Sequence, residues 1–369
     1  MELLHGKYGK MDLGKYFKNK NIFISGHTGF KGSWLLTWLH LLGANIKGYA
    51  LEPLNSFDLY NVINGNDLCS SIIADITDKE KLKYEIINFK PDFIFHLAAQ
   101  PLVIESYKNP LYTFEVNTLG TANILEAMRC LAKPCIAVMV TTDKVYHNYE
   151  SGQAYKEDDR LGGYDPYSAS KGAAEIIIDC YKQSFFNQSE FKNHHKSISV
   201  ARAGNVIGGG DWSKYRIIPD IVRALTENKD IEIRNPSAIR PWQHVLEPIR
   251  GYLKLAALQS VDPILYGDSY NFGPKLSDNL TVKQIVEASI KIWGSGNYVI
   301  SSSQNQVHEA GLLQLDISKA IDKLDWIPKF TSLQAINKTV NWYKKFHEEE
   351  NNAYNLVCED INKINIDHF

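Results

Sequence analysis

Short runs of apolar residues alternate with longer segments of helical periodicity between residues 21 and about 205. Short runs rich in β-branched and aromatic residues are typical of buried strands, and longer apolar or amphipathic segments are typical of helices. The predicted strands are residues 21–25, 46–51, 71–74, 93–97, 136–141 and 197–202. The predicted helices include residues 34–42, 110–131 and 167–186. This alternation predicts an α/β fold, a Rossmann-type doubly wound parallel sheet with helices on both faces.

The pattern changes beyond residue 205, where glycines 208–210 and several prolines divide the chain into short pieces. We expect a first domain formed by residues 1–205, with residues from about 242 to 273 returning to its sheet. A smaller α+β domain would then be formed by residues from about 206 to 241 and from 274 to 369. In open α/β sheets a ligand binds at the carboxyl ends of the strands, so the cleft between the two domains is the predicted binding site.

Three glycines follow the first predicted strand at intervals of three residues, at Gly26, Gly29 and Gly32. In a dinucleotide-binding turn, the first glycine makes the tight turn and the second lets the backbone approach a pyrophosphate. The third lets the helix pack closely on the strand. The helix N-terminus then offers free N–H groups to the phosphates. The pattern predicts a dinucleotide site, and a turn that serves only packing is the alternative.

Two acidic residues at strand ends support the dinucleotide interpretation. Glu52 ends the second predicted strand, where a carboxylate binds ribose hydroxyls and repels a 2′-phosphate, which favours NAD over NADP. A solvated loop acid is the alternative. Asp75 ends the third predicted strand, where its carboxylate could accept a hydrogen bond from the adenine amino group; a helix N-cap is the alternative.

Five residues in two segments are candidates for catalysis. Thr142, Asp143 and Lys144 follow the strongest apolar run, which predicts that they lie at the carboxyl end of a central strand. Tyr167 and Lys171 are four residues apart, so they share one face of a predicted helix. A nearby ammonium favours the phenolate, so we expect Lys171 to lower the pKa of Tyr167. A structural ion pair of Asp143 with Lys144 is the alternative for those two residues.

The composition of the chain excludes several classes of protein. The 369 residues include 40 Lys and Arg against 42 Asp and Glu, and this balance lacks the clustered positive charge of an unspecific nucleic-acid binder. No apolar run approaches the roughly 18–20 residues of a membrane span, and the lysine-rich N-terminal residues lack the apolar core of a secretory signal. Five dispersed cysteines predict neither a disulfide framework nor a zinc site, no other cluster has metal-ligand spacing, and a reducing cytoplasm is the expected location.

Seven segments together resemble the extended short-chain dehydrogenase/reductases, and among them the sugar-nucleotide 4,6-dehydratases. They are GHTGFKGSW (26–34), HLAAQPLV (96–103), NTLGT (117–121), TDK (142–144), GYDPYSASK (163–171), RAGNVIGGGDW (202–212) and IRPWQHVLEP (239–248). The resemblance extends over nearly the whole chain. Its most discriminating part is the Thr-Asp-Lys triplet, because dehydratases for other nucleotides usually carry Thr-Asp-Glu there.

The resemblance implies NAD as cofactor and a CDP-hexose, CDP-glucose, as substrate. It further implies that Tyr167 takes the proton of the sugar 4-hydroxyl, that Lys171 holds the nicotinamide ribose and that Thr142 bonds the reacting oxygen. Lys144 would remove the C5 proton, and a protonated Asp143 would donate to the departing 6-hydroxyl. The implied cofactor-binding residues are Gly26, Thr28, Gly29, Phe30, Gly32, Glu52, Asp75, Ile76, Leu97, Ala98, Ala99, Asn117, Tyr167 and Lys171. The implied substrate-binding residues are Gln100, Asn205, Arg216, Arg234, Arg240 and Trp242.

Three further expectations concern assembly and competing functions. Small residues on the predicted helices 110–131 and 167–186 favour close helix pairing, which in the superfamily forms a homodimer or a higher homo-oligomer; an intramolecular contact is the alternative. A related dehydratase, epimerase or reductase is the first alternative function, although C4 epimerisation needs neither a C6 acid nor a C5 base. A non-enzymatic dinucleotide sensor is the second, although a sensor needs none of Thr142, Tyr167 and Lys171.

Overall fold

A computed structural model describes residues 11–300, 313–349 and 352–366. The sequence segment with His308 and Glu309 lies outside these residues, as do the first ten residues. The strands are β1 (Asn21–Ser25), β2 (Asn45–Ala50), β3 (Ser70–Ile73), β4 (Phe93–His96), β5 (Cys135–Val140), β6 (Lys196–Ala203), β7 (Val206–Ile207), β8 (Ile231–Ile233), β9 (Ile239–Arg240), β10 (Gln243–His244), β11 (Ser269–Phe272), β12 (Leu280–Thr281) and β13 (Tyr298–Ile300).

The helices extend from residue 14 to residue 366. They are α1 (Gly14–Phe17), α2 (Phe30–Leu41), α3 (Leu59–Val62), α4 (Lys79–Phe89), α5 (Val103–Lys108), α6 (Pro110–Phe114), α7 (Gly120–Arg129), α8 (Pro166–Ser184), α9 (Phe191–His194), α10 (Ile217–Thr226), α11 (Leu246–Val261), α12 (Pro263–Tyr266), α13 (Val282–Trp293), α14 (Ser318–Leu324), α15 (Ser332–Glu348) and α16 (Ala353–Ile366). None of the described helices is both long enough and apolar enough to cross a bilayer.

Seven strands form one parallel sheet in the order β3-β2-β1-β4-β5-β6-β11. The order reverses between β1 and β4, as it does in doubly wound folds that bind dinucleotides. The predicted α/β fold is therefore confirmed, and each of the six predicted strands agrees with an observed strand to within one residue at either end. The seventh strand, β11, follows helix α11 and pairs with β6, so a late segment of the chain completes the sheet.

Side chains along the central strands alternate between two apolar clusters, one on each face of the sheet. Phe23 packs with helices α4, α7 and α8 on one face, and its neighbours Ile22 and Ile24 pack with α2 and α11 on the other. Because successive side chains of a strand point to opposite faces, a strand buried on both sides must be apolar throughout. This requirement explains the unbroken apolar run of β5, all of whose residues are buried.

The smaller strands and helices α10, α13 and α15 lie beyond the carboxyl ends of the large sheet. Strand β7 pairs with β10, β9 pairs with β12, and β8 pairs with β13. Helix α15 packs against α13 and β10, and α16 packs back against α2. These elements form one wall of the cleft, and the carboxyl ends of the sheet strands form the other.

Two predicted helices differ from those observed. Helix α2 begins at Phe30 rather than at residue 34, because Gly29 is its N-cap and the third glycine of the motif lies in its first turn. The helix predicted over 110–131 contains a π-helical segment between α6 and α7, at Glu115–Leu119. Asn117 lies in this segment, and its side chain bonds the backbone of Gln100 and the hydroxyl of Ser170. These buried bonds offset the local loss of regular helix, and π segments of this kind are frequent at functional sites.

Candidate active site

A cavity of about 1030 Å³ opens at the carboxyl ends of the sheet strands, between the sheet and the smaller elements. Its lining includes Thr142, Asp143, Lys144 and Tyr167 from the sheet side. From the opposite side come Asn205, Arg216, Arg234, Arg240 and Trp242. The structure therefore brings together four of the five predicted catalytic residues and five of the six predicted substrate-binding residues in one cleft.

The glycine-rich turn connects β1 to α2 through close backbone contacts. Gly26 has φ +79°, and a Cβ there would lie 2.7 Å from the amide nitrogen of Ala98. A Cβ at Gly32 would lie 2.0 Å from the carbonyl oxygen of Gly26. The middle glycine differs, since within 4 Å a Cβ at Gly29 would meet only the carbonyl oxygen of Gly26, at 3.4 Å. Gly26 and Gly32 are thus required by packing within the turn, whereas Gly29 keeps the space beside the helix N-terminus clear.

The residues predicted at the adenosine end lie next to this turn. Thr28 donates a hydrogen bond to the carbonyl oxygen of Leu51, 2.8 Å away, and so joins the turn to the segment after β2. Glu52 follows in the same segment and is exposed. Asp75 accepts two hydrogen bonds of 2.9 Å, from the backbone N–H and the hydroxyl of Thr77. The alternative of Asp75 as a helix cap is wrong, because Asp78 caps α4.

The other predicted cofactor residues line the switch point of the sheet. Leu97 and Ala98 follow β4, and their amides donate to the carbonyl oxygen and the hydroxyl of Ser25, respectively. Ala99 continues this segment and is half-buried, as is Phe30 in the first turn of α2. Ile76 is buried against Gly120, where a Cβ would approach its side chain to 2.7 Å.

Gln100 and Asn117 hold the loop after β4 in place. The side-chain amide of Gln100 donates through Nε2 to Thr113 Oγ1, and its Oε1 accepts from the backbone N–H of Leu102. Asn117 accepts from the N–H of Gln100 at 2.8 Å and donates to its carbonyl oxygen at 3.1 Å. Both side chains are buried, and neither belongs to the cavity lining. Gln100 was predicted to bind substrate in the cleft, but its side-chain amide lies within the loop.

Three side chains form the polar centre of the cleft at the end of β5. Thr142 Oγ1 donates to Asp143 Oδ1 at 2.9 Å, and both side chains line the cavity together with Tyr167. Tyr167 comes from helix α8, whose first turn begins with Pro166 and is capped by Asp165. Proline at the first helical position and an aspartate cap both favour a helix start here. The local sequence thus determines where Tyr167 enters the cleft.

The charges around Tyr167 differ from the expected ones. Burial raises the pKa of Tyr167 to about 12, and the negative charge of Asp143 acts in the same direction, whereas Thr142 and the positive charge of Arg216 lower it. Lys171 instead donates to the carbonyl oxygen of Val140 at 3.1 Å, and burial lowers its own pKa to about 8. From the sequence we expected Lys171 to lower the pKa of Tyr167. In the structure Thr142 and Arg216 lower it instead, and Lys171 bonds the backbone.

A lysine to which the sequence assigned no role also lies in the cleft. Lys31 is in the first turn of α2 and belongs to the cavity lining. Burial, Arg216 and Lys171 lower the pKa of Lys31 to about 7, and only Asp143 acts against them. A cation at a helix N-terminus is disfavoured by the helix dipole, so the position of this lysine in the glycine-rich motif was a signal that could have identified it.

Arg202, the first residue of the segment 202–212, is not part of the cavity lining. It lies in β6 and is buried, and its Nε donates to both carboxylate oxygens of Glu175 at 2.9 and 3.0 Å. Glu175 also accepts a hydrogen bond of 2.6 Å from Thr141 Oγ1. The pair of Arg202 with Glu175 is therefore structural. Glu175 was not predicted from the sequence, although it lies four residues after Lys171 on helix α8.

The remaining predicted substrate residues approach the cleft from the smaller elements. Asn205 has φ +40°, a left-handed conformation that is uncommon outside glycine. Arg216 donates to Asp211 Oδ2 at 2.7 Å and faces Tyr167. Arg234 is exposed at the cavity wall, and Arg240 is half-buried. The side chain of Trp242 is nine-tenths buried and belongs both to the apolar core and to the cavity lining.

The turn and its surroundings fit a dinucleotide. The backbone at Gly29 has room for a close approach, and no side chain caps the N-terminus of α2 among the described residues. Phosphates bind well at such a helix end because its N–H groups and dipole face them. Within the described part of the chain, no cluster of His, Cys, Asp and Glu side chains could hold a metal ion.

A parallel sheet of this strand order, with a glycine-rich turn after β1 and a Thr, Tyr and Lys cluster at the strand ends, defines a Rossmann-type short-chain dehydrogenase/reductase fold. Within this class the chain belongs to the GDP-mannose 4,6 dehydratase family, whose sequence profile matches residues 23–339.

One curated relative is similar over nearly its whole length. The CDP-glucose 4,6-dehydratase of Salmonella typhimurium is 43% identical over 343 residues, which are 93% of this chain and 95% of the relative. Two solved structures share the fold. The dTDP-glucose 4,6-dehydratase of Bacillus anthracis in complex with NAD has a TM-score of 0.72 and 23% identity, and the match covers 89% of this chain and 98% of that one. DesIV, a dTDP-glucose 4,6-dehydratase of Streptomyces venezuelae, has a TM-score of 0.74, 22% identity and the same two coverages.

Proposed function

We propose that this protein is a nucleotide-sugar 4,6-dehydratase, a hydro-lyase that converts CDP-glucose into CDP-4-keto-6-deoxyglucose with NAD as cofactor. The observation that carries the proposal is the meeting of Thr142, Asp143, Lys144 and Tyr167 at one end of a cleft. The 43% identity with a CDP-glucose 4,6-dehydratase supports the choice of CDP-glucose. Such a product is a precursor of deoxysugars, which makes polysaccharide biosynthesis a reasonable context.

In this proposal one part of the fold binds NAD and the other part binds the nucleotide sugar. Residues 1–205 and about 242–273 would hold NAD, with the pyrophosphate at Gly29 and the adenosine ribose at Glu52. Residues from about 206 to 241 and from 274 to 369 would hold the nucleotide sugar, with its diphosphate at Asn205 and Arg240. Guanidinium groups suit this task because they bind phosphate oxygens in a bidentate manner.

The first half of the reaction oxidises C4 of the sugar. Tyr167 takes the proton of the 4-hydroxyl, and the Thr142 hydroxyl turns from Asp143 to donate a hydrogen bond to the reacting oxygen. Arg216 assists because its positive charge favours the phenolate of Tyr167. NAD, when bound, would supply the hydride acceptor for C4 and the hydride donor for C6. Lys171 holds the cofactor ribose in this scheme.

The second half removes water between C5 and C6. A 4-keto group acidifies the proton on C5, which Lys144 takes in its neutral form and returns to C5 once hydride has been delivered to C6. Asp143 in its protonated form donates to the departing 6-hydroxyl, so that water rather than hydroxide leaves. Both side chains line the same cavity as Tyr167, which allows the two half-reactions to occur on one bound sugar.

The test is an isotope experiment with CDP-glucose deuterated at C4. The deuterium should appear at C6 of the product, without exchange with solvent, because the hydride stays on the enzyme between the two steps. Deuterium that escapes into free reduced cofactor would refute the dehydratase mechanism. Parallel incubations with dTDP-, UDP- and GDP-glucose test the nucleotide, with the absorbance of the 4-keto sugar in base as the signal.

We also propose that the protein forms a homodimer, or a higher homo-oligomer, through α6, α7 and α8. Several apolar side chains on these helices and on the π segment between α6 and α7 are exposed, among them Leu111 at 84%, Leu119 at 56% and Ile176 at 62%. Light scattering at micromolar concentration should show a dimer or larger species, and a monomer alone would contradict the proposal. The five free cysteines suit a reducing cytoplasm, which is the proposed location.

A further inference from the structure

We infer that Gly204 is a positioning residue for Asp143, because the absence of a side chain at Gly204 creates the space in which the Asp143 carboxylate lies. This role rests on the proposed dehydratase function, in which Asp143 protonates the leaving hydroxyl. A Cβ at Gly204 would lie 1.9 Å from Asp143 Oδ2, 2.3 Å from Cγ and 2.8 Å from Oδ1. The three nearest atoms therefore all belong to one carboxylate.

The register of the sheet brings these two residues together. In the parallel pair of β5 and β6, Met139 lies opposite Val200 and Val140 lies opposite Ala201. The same offset, continued past the strand ends, sets Asp143 opposite Gly204. The contact is therefore a consequence of the sheet, and it occurs where the strands end and the cleft begins.

A hydrogen bond from a buried side chain fixes the backbone at Gly204, so it cannot easily move away from Asp143. Gln243 is buried, and its Nε2 donates both to the carbonyl oxygen of Gly204 at 3.1 Å and to that of Phe272 at 2.8 Å. These bonds tie the ends of β6 and β11 together. A side chain added at position 204 would therefore displace the carboxylate rather than the backbone.

Burial and a hydrogen bond fix the position of the Asp143 carboxylate. Asp143 is 3% exposed, and its Oδ1 accepts the 2.9 Å bond from Thr142 Oγ1. To clear the methyl group of an alanine, Oδ2 would have to move by about 1 Å, and a misplacement of that size can cost about 100-fold in rate. Gly204 does not have a positive φ, so alanine introduces no backbone strain and the effect arises from this contact alone.

The sheet also offers a matched control. Because Phe272 pairs with Ala203, Gly273 occupies the same level as Gly204 on the neighbouring strand. A Cβ at Gly273 would meet its nearest atoms at 3.6 and 3.7 Å, which is ordinary packing distance. The two substitutions Gly204→Ala and Gly273→Ala thus add the same methyl group at equivalent points of the fold, and only the first reaches Asp143.

The first experiment separates the two half-reactions in the NAD-loaded enzyme with CDP-glucose. Gly204→Ala should keep the rate of C4 oxidation within about threefold of the unmodified enzyme and slow the loss of water about 100-fold, so that reduced cofactor accumulates. Gly273→Ala should change neither rate. Equal losses of oxidation and elimination in Gly204→Ala would overturn the inference, because a general structural defect has that effect.

The second experiment is a thermal double-mutant cycle, which needs neither cofactor nor turnover. Gly204→Ala should lower the Tm of the unmodified chain, but not the Tm of an Asp143→Ala variant, from which the clashing atoms have been removed. An equal fall in Tm in both backgrounds would overturn the inference. If the unmodified enzyme fails to convert CDP-glucose, the proposed function fails, and this cycle still decides whether Gly204 positions Asp143.

Discussion

The ion pair of Glu175 with Arg202 is expected to be the most sensitive structural feature behind the active site. Both side chains are almost fully buried, at 3–4% exposure, and Arg202 donates to the carboxylate through Nε and Nη2. Thr141, the residue before Thr142, donates to the same carboxylate. The substitution Glu175→Gln keeps the shape and removes the charge, which leaves a guanidinium buried without its counter-ion.

The expected loss follows from the burial of the pair. Removing one partner of a buried ion pair costs about 3–5 kcal/mol, mostly because the remaining charge is left uncompensated. Relative to a typical total stability of about 5–15 kcal/mol, this loss should lower the Tm by roughly 5 °C in a chain of this length. Replacement of both Glu175 and Arg202 by methionine should restore part of the stability, because neither charge is then buried.

Thermal and urea unfolding measure these effects, and Glu126→Gln is the matched control. Glu126 pairs with Arg129 through two hydrogen bonds, of 2.7 and 2.8 Å, but on the surface. Its loss should change the Tm by no more than about 2 °C. The reasoning is refuted if Glu175→Gln costs as little as Glu126→Gln, or if the double methionine variant is less stable than the single variant.

The same substitution should also affect the pH dependence of activity. Glu175 raises the pKa of Lys171 against the larger effect of burial, which lowers it to about 8. Without the carboxylate the pKa of Lys171 falls further, so its ammonium is lost at lower pH. In the Glu175→Gln variant the alkaline limb of kcat/KM should therefore shift to lower pH, and an unchanged limb would show that Lys171 does not control it.

Three other predictions concern the site and the core. Lys144→Ala should form reduced cofactor from CDP-glucose yet release no 4-keto-6-deoxy product, and full turnover would remove Lys144 from the mechanism. Arg240→Ala should raise KM at least about 10-fold with a smaller effect on kcat, as expected for a lost contact to phosphate; an unchanged KM would exclude it from the diphosphate site. Burial lowers the pKa of His27 to about 4 and the pKa values of His96 and His244 to about 3, and unfolding returns each to about 6.5. The unfolded chain therefore binds more protons below pH 6.5, so urea unfolding should show a loss of about 6 kcal/mol between pH 7.5 and pH 5, and a flat profile would contradict this.

The strands of the sheet were predictable because each is a short apolar run that can be recognised from its own residues. Strand β5 is buried on both faces, and this requires an apolar run that no other part of the chain equals in strength. The turn after β1 was equally clear, since Gly26 and Gly32 are needed wherever backbone packs on backbone. Proline and aspartate before Tyr167 likewise marked the start of α8. In each case the cause lies within a few residues of its effect.

The roles of Gln100, Arg202 and Gly204 and the partners of Lys31 were not predictable in this way, because they depend on contacts with distant segments. Gln100 bonds Thr113 and Leu102 inside a loop, so a polar side chain in a candidate motif turned out to be structural. Arg202 is neutralised by Glu175, and without that partner the sequence showed only a positive charge near a predicted phosphate site. Lys31 meets Arg216 and Asp143 only when the cleft forms.

The amino-acid sequence by itself determined the order of strands and helices, the dinucleotide turn and the residue types required for proton transfer. These properties follow from hydrophobic periodicity and from the conformations that glycine and proline permit, which are local. The tertiary structure decided which charges face the ligand and which are paired in the core. It also decided that Lys171 bonds the backbone of Val140 while Arg216 lies in the cavity lining with Tyr167, and that Gly204 bounds the position of Asp143. These outcomes depend on distances between strands, which exist only once the sheet has formed.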